Sequence, residues 1–291
     1  MSVFDQNNQP FDDDGLAEHI EKALRVEEPA VAMQDLTYTL IKRIYRPRLI
    51  NQKNLPDEPC LFIGNHSLFA LDGLVMGPVV YKETGRFLRG LGDRFLWNSR
   101  SENLLLNVGG VIGHPQVCSA LMENGSDLLV FPGGAHEATK TAAQKYALQW
   151  KDRYGFVRLA AQHGYTIMPF ALVGPDEFYS HLLEGEDIPD TAVGQLLTRM
   201  GVLNENTRAD MLPPIPRGIL GTPLPRPQRC FLQFGEPVRL ASLKGKKSSK
   251  KKLLDIRAEV AGQIEDMIAE LLLLREQTRD EEGLLRRFLT L

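Results

Sequence analysis

Cysteine is scarce in this chain: three in 291 residues (Cys60, Cys118 and Cys230), odd in number and far apart. That excludes a disulfide framework and implies a reducing compartment; no Cys-x-x-Cys spacing suggests a metal either. Two of the three fall in strand-like runs, as buried structural thiols do. An excess of positive charge is also missing. Lys and Arg number 34 against 37 Asp and Glu, a net charge of -3, whereas a dedicated nucleic-acid binder is usually basic. No apolar run approaches the roughly 18 residues of a membrane-spanning helix. The longest, 73–81, is broken by Gly77-Pro78. The chain opens on polar and acidic residues (Asp5, Asp12, Asp13, Asp14) rather than a basic, then apolar, leader. The expected location is therefore cytoplasmic, with any membrane contact peripheral. No serine sits in a Gly-x-Ser-x-Gly elbow and no cysteine lies near a histidine, so a covalent Ser or Cys route has no support in the sequence. His19, His163 and His181 lack ligand spacing, so no metal is expected.

What is present is ordinary globular composition, 43% hydrophobic and 24% charged, enough for one large domain with appendages. Two short motifs stand out. Gly64-Asn65-His66-Ser67-Leu68-Phe69-Ala70-Leu71-Asp72 follows the apolar run 60–64. Phe131-Pro132-Gly133-Gly134-Ala135-His136-Glu137 follows the run 127–131. Each run reads as a buried strand.

Further strands are expected at 109–113, 166–173 and 230–234, and a short strand or turn at 86–90. Helices are expected at 16–25, 31–44, 68–81 (interrupted at Pro78), 95–106, 116–123, 140–163 and 253–274. Strands alternating with helices predict an α/β fold: a layered mixed sheet flanked by helices, with N-terminal and C-terminal amphipathic helices. The expected organisation is a disordered 1–15, a helical segment 16–50, a main domain 51–240 and a basic linker with a C-terminal amphipathic helix over 241–291. Within the main domain, the proline-rich stretch 176–228 reads as an irregular insert or lid.

Three features read two ways. Met33, Leu36, Leu40, Ile41 and Ile44 form an apolar stripe ending in Lys42, Arg43, Arg46 and Arg48, suited to a core or to a bilayer surface. Residues 244–252 (KGKKSSKKK) are a solvated loop or an attractor of anionic headgroups. The tail 283–291, with Leu284, Leu285, Phe288 and Leu289 around Arg286-Arg287, is a packed end or a small membrane foot.

The chemistry follows from the motifs. A histidine alone is as often structural as functional. Asp72 nearby can accept from one imidazole nitrogen, fix the tautomer and make the other nitrogen a base. Glu137 is the alternative carboxylate. Gly133 and Gly134 let backbone N–H groups approach an oxyanion closely. A base beside a donor-rich turn suits direct attack of a hydroxyl on a thioester. Arg86 and Arg89 lie between the motifs, suited to the phosphates of a CoA donor or to surface salt bridges. His114 and His136 are structural or substrate-facing, and Asn65, Phe131 and Pro132 flank the same candidate site.

The two motifs, in their order and spacing, resemble the lysophospholipid/glycerolipid acyltransferase superfamily, known for an Asn-His-x4-Asp block and a Phe-Pro-Glu-Gly block. The resemblance is closer to the branch of diacylglycerol acyltransferases and phytyl ester synthases, whose second block reads Phe-Pro-Gly-Gly-x-x-Glu. It extends over about 61–238, including residues 149–160 (QWKDRYGFVRLA), Ile167-Met168-Pro169-Phe170 and Phe234-Gly235-Glu236-Pro237-Val238. It implies an α/β fold, an acyl-CoA or acyl-carrier-protein donor as substrate with no other cofactor, and a lipid alcohol as acceptor. His66 is then the expected base.

Three departures matter. Five residues, not four, separate His66 from Asp72, and one extra residue rotates a helical side chain by about 100°. Asp72 reaches His66 only if the turn between them is not regular helix. Gly133 and Ala135-His136 replace Glu and Thr-Arg of the phosphate-acceptor enzymes, and His114 stands where those enzymes commonly carry arginine. Arginine suits an acceptor phosphate and neutral histidine does not. The expectation is therefore a neutral acceptor: diacylglycerol or a long-chain or isoprenoid alcohol. The alternatives are a lysophospholipid or glycerol-phosphate acyltransferase, a thioesterase or transacylase, and a non-catalytic lipid-binding protein on the same scaffold.

Overall fold

The computed structural model describes residues 13–97, 101–201, 203 and 212–290. Seven strands build one sheet: β1 (Arg48–Ile50), β2 (Cys60–Gly64), β3 (Arg89–Gly92), β4 (Gly110–Ile112), β5 (Leu128–Val130), β6 (Thr166–Val173) and β9 (Phe231–Phe234). Their order is β1-β9-β6-β2-β5-β3-β4. Every pair is parallel except β6 with β9. The expected mixed, layered α/β sheet is what the chain forms. β2 sits at its centre, with β5 on one side and β6 on the other.

Both faces of this sheet are covered, which is why β2 and β6 read as unbroken apolar runs rather than as alternating ones. Leu61 and Ile63 of β2, with Ile167, Ala171 and Val173 of β6, face α1 (Asp13–Arg25), α5 (Pro115–Glu123), α7 (Gly155–His163) and α9 (Lys250–Gln277). Cys60 and Phe62, with Met168, Phe170 and Leu172, face α2 (Val31–Tyr45) and α3 (Leu71–Thr84). The long α9 buries Leu253, Ile256, Val260, Ile264, Met267, Ile268 and Leu271 along one stripe, the 3.6-residue periodicity of an amphipathic helix. Short α4 (Glu102–Asn107) precedes β4, and α6 (Ala135–Ala138) follows β5.

Several expectations are corrected. The stripe on α2 does not enter the core. Ile41 is buried, but Met33, Leu36, Leu40 and Ile44 stand 41–60% exposed. The helix expected over 140–163 is confined to α7. The preceding residues are drawn out because buried carboxylates capture their backbone N–H groups: Glu137 Oε1 accepts from Gln149 at 2.7 Å and Asp176 Oδ2 from Tyr146 at 2.9 Å. Tyr146 and Lys151 take positive φ, which no helix permits.

The stretch 176–228 is more ordered than an irregular insert. It holds the antiparallel pair β7 (Ser180–Leu183) and β8 (Ile215–Arg217), and α8 (Ala192–Arg199); residues 202 and 204–211 lie outside the described residues. Pro78 lies within α3 and does not end it; the carbonyl it leaves unbonded belongs to exposed Leu74, where water can serve. The expected disorder of 1–15 falls largely outside the described residues, while 13–15 begin α1. The lysine run reaches into α9, which Ser249 caps by accepting from Lys252 N. The tail forms α10 (Leu284–Leu289).

Candidate active site

Parallel strands bring both motifs to the same edge of the sheet. β2 and β5 are neighbours with Ile63 opposite Val130, about 4.8 Å apart. His66 and the Pro-Gly-Gly turn leave their C-terminal ends side by side, where open α/β sheets place their sites.

Asn65 fixes the exit from β2. Its Nδ2 donates to the Leu172 carbonyl and its Oδ1 accepts from the Leu172 N–H, both at 2.9 Å. Both polar ends of the buried amide are consumed by β6. Asn65 is therefore a structural lock, not the substrate contact expected of it.

The extra residue between His66 and Asp72 is absorbed in the backbone. Ser67 is extended, and Phe69 and Ala70 both adopt φ of 58°, in the left-handed region. Such a conformation costs an ordinary residue about 1–2 kcal/mol, and here it turns α3 so that Asp72, in its first turn, faces back. His66 Nδ1 lies 2.8 Å from Asp72 Oδ2. The same oxygen accepts from Ser67 N at 2.6 Å, Asp72 Oδ1 accepts from Gly73 N at 2.7 Å, and Ser67 Oγ accepts from Asp72 N at 3.0 Å. A carboxylate so placed accepts a hydrogen bond from Nδ1–H and so favours the tautomer whose Nε2 carries the free lone pair. The Asp72 side chain is 1% exposed and that of His66 10%. Phe131 stacks on the imidazole, with ring centroids 4.1 Å apart and planes 12° apart.

Glu137, the other candidate carboxylate, meets His66 at its backbone rather than its ring. Its Oε2 accepts from His66 N at 3.1 Å and its Oε1 from Gln149 N. Burial pushes its carboxyl up to about 7, against the lowering effects of the Gln149 N–H and the Lys140 charge. This carboxyl also explains Gly133. A Cβ at 133 would fall 2.2 Å from Glu137 Cδ, so the side chain of 137 fills the space that a side chain at 133 would need.

The turn itself is held by Arg153, whose Nη1 donates to the carbonyls of Pro132 at 2.9 Å and Gly133 at 2.6 Å. Arg257 in turn donates to the carbonyls of Arg153 and Lys151. Gly134 has φ of 54° and ψ of -136°, a region open only to glycine. Its N–H is committed to the Phe131 carbonyl at 3.0 Å, which removes Gly134 from the expected oxyanion donors.

Sequence reading missed two residues of this site. Lys140 Nζ donates to the His66 carbonyl at 2.7 Å and pairs with Asp176 Oδ2 at 2.7 Å, both side chains being almost wholly buried. Asp176 Oδ1 accepts from Leu68 N at 3.2 Å. Lys140 stands three residues after Glu137, a spacing that marks a shared face; nothing in the sequence points to Asp176.

The remaining expected residues make other contacts. His114 caps α5 through Gln116 N at the end of edge strand β4. His136 Nε2 lies 3.1 Å from Lys151 Nζ. Arg86 and Arg89 sit at the wrong end of the sheet. Arg89 begins β3, level with Leu128 and hence with Leu61, about 10–16 Å along the strands from His66 at 3.3 Å per residue. It donates to the carbonyls of Gly109 and Ala23. Arg86 pairs with Asp127 at 2.9 Å and donates to the carbonyl of Pro56. Their expected part in binding a donor at His66 is withdrawn. They line a cavity of about 800 Å³ at that opposite edge, together with Glu28, Glu83 and Asp127.

Comparison with known proteins relates the chain to lipid enzymes. Residues 46–173 match the family model described as Acyltransferase. This segment, less than half of the chain, is similar to that family. The chain is 28% identical over 239 residues to phytyl ester synthase 1 of Arabidopsis thaliana, covering 77% of this chain and 34% of that protein. It is 27% identical over 122 residues to the "DGAT1/2-independent enzyme synthesizing storage lipids" of Gallus gallus, covering 42% and 36%. The chain thus spans about a third of the length of the phytyl ester synthases it matches. Among solved structures it is similar to the 1-acyl-sn-glycerophosphate acyltransferase PlsC of Thermotoga maritima, at 12% identity and a TM-score of 0.43, covering 87% of this chain and 89% of that one.

Proposed function

We propose that this chain transfers a fatty acyl group from acyl-CoA or an acyl-carrier protein to a neutral lipid hydroxyl. The observation that carries the reading is the buried Asp72 on His66 Nδ1, which prepares Nε2 as a general base. Nε2 takes the proton of the acceptor hydroxyl as its oxygen attacks the thioester carbonyl. The Gly133 N–H, antiparallel to the Pro132 carbonyl that Arg153 holds, steadies the oxyanion. The C–S bond then breaks and the thiolate leaves with the proton from His66, so that an ester and a free thiol result. His136 beside Lys151, in place of an arginine fork, and a second block of the Gly-Gly type support a neutral acceptor, as do relatives named for phytyl esters and storage lipids.

A peripheral lipid contact is part of the proposal. No helix among the described residues is long and apolar enough to cross a membrane. The exposed stripe of α2 and the exposed Leu284, Leu285 and Phe288 of α10 present apolar surface. Arg286 Nη2 donates to the Ile44 carbonyl at 2.6 Å, which joins the two helices. Lys42, Arg43, Arg46, Arg48 and Arg287 complement anionic headgroups, at about 1 kcal/mol each near such a surface.

The test is a labelled acyl-CoA assay with dispersed diacylglycerol, a long-chain alcohol, lysophosphatidate or no acceptor. Ester on a neutral acceptor is expected. Faster ester formation on lysophosphatidate overturns the neutral acceptor, and free acid alone converts the reading to a thioesterase.

A further inference from the structure

We infer that Lys140 and Asp176 are positioning residues that, with Glu137, clamp the backbone of His66 and thereby aim its imidazole; this rests on the acyl-transfer reading above. The peptide groups on both sides of His66 are gripped. Its N–H is taken by Glu137 and its carbonyl by Lys140, at 3.1 and 2.7 Å. The two grips come from one short stretch, three residues apart, just beyond the Pro-Gly-Gly turn. Asp176, from the loop after β6, neutralises Lys140 and holds the next turn of the same loop through Leu68 N. It also holds Tyr146 N.

Three ionisable side chains from two distant segments thus converge on the backbone of His66 and Leu68. All are buried: the Lys140 and Asp176 side chains are 2% and 1% exposed and Glu137 is fully covered. Burying an ion pair rarely stabilises a fold more than apolar packing of the same volume. What this one does is define a geometry. The loop it grips needs such definition, because Phe69 and Ala70 are held in the left-handed region and would relax if released. The ring itself is fixed from other directions by Asp72 and Phe131, so a shift of the backbone must pull Nδ1 away from Asp72 or tilt the ring from Phe131.

The experiment replaces both charges at once, Lys140→Met with Asp176→Asn, so that no unpaired buried ion remains. Folding is read by circular dichroism and thermal melting. The imidazole is read by NMR of histidine-labelled protein, through the low-field proton of the Nδ1–H held by Asp72, assigned with His66→Ala. The expected result is a folded variant whose His66 proton signal shifts or is lost to exchange. Its kcat should fall about tenfold to a hundredfold, since small misplacements of a reacting group cost that much, with KM for the acyl donor unchanged. A folded variant with the His66 signal and kcat both as in the parent overturns the clamp. Should the double variant not fold, the nearly isosteric Asp176→Asn alone, read by the same signal, decides in the same way. Because the signal is independent of turnover, it tests the clamp even if the parent protein transfers no acyl group, which is the outcome that would refute the functional reading instead.

Discussion

The two ends of the central sheet carry similar groups wired in opposite ways. At the C-terminal edge, Asp72, Glu137, Lys140 and Asp176 are buried, and every one of them makes contact with the loop carrying His66. At the N-terminal edge, Arg89 is buried and Asp127 and Arg86 are half-buried, and they spend their polar atoms on each other and on main chain: Asp127 Oδ1 on Cys60 N, Arg86 on Asp127, Arg89 on two carbonyls. A hollow of about 800 Å³ lies at this second edge, and no histidine is among the residues that line it. The wiring of the titratable groups, rather than open space, is what marks the His66 edge as the candidate site.

This contrast can be broken or sharpened by substitution. The largest effect should come from His66→Ala, with turnover reduced by about 10²–10⁴-fold, the usual contribution of a general base, while a cooperative melting curve shows the fold retained. Undiminished activity would remove the mechanism. Asp72→Asn should cost about a hundredfold through misorientation of the ring, measurable as kcat at constant donor KM.

Glu137→Gln tests the same edge through pH. Burial raises the Glu137 carboxyl from 4.5 to about 7 in the folded protein. An acid raised on folding contributes stability that is complete below its unfolded value and lost as pH climbs through the folded one. The parent should therefore lose about 3 kcal/mol relative to Glu137→Gln between pH 4.5 and 7, read from urea midpoints at each pH. Parallel curves for the two proteins would contradict the assignment. Gly133→Ala should destabilise by about 1–3 kcal/mol through overpacking against Glu137, and the double variant with Glu137→Ala should recover part of that loss.

The smallest effect on activity belongs to the opposite edge. Arg86→Gln should lower stability by about 1–2 kcal/mol because it removes the cation paired with the half-buried Asp127 carboxylate, yet leave kcat and donor KM as they were. A raised donor KM in that variant would join the two edges functionally and dissolve the distinction between them.

Much of the architecture was legible before the fold was seen, because it rests on local signals. The strands β2, β5 and β6 are short apolar runs bounded by turn residues, and the spacing of the apolar residues in α9 is helical. The two motifs announced themselves by their place at strand ends. What failed to be legible was directional or distant. The stripe on α2 is periodic whichever way it faces, so periodicity was silent on its exposure. Residues 140–154 are compatible with helix, and only carboxylates brought from 137 and 176 draw their N–H groups away. Arg86 and Arg89 looked adjacent to the motifs because they lie between them in the chain, but a parallel strand begins at the far edge from where it ends.

Sequence alone determined that a histidine and a Pro-Gly-Gly turn end neighbouring types of strand, and that a carboxylate stands within reach of the histidine by one route or another. The choice between Asp72 and Glu137 as the ring's partner was made only by tertiary structure. Two left-handed residues rotate Asp72 toward the ring, and the packing of α6 against the loop turns Glu137 to the backbone instead. Lys140 and Asp176 meet across 36 positions of chain. No local rule encodes such a meeting, because their attraction exists only once β2, β5 and β6 have been laid side by side and the water between the two charges has been expelled.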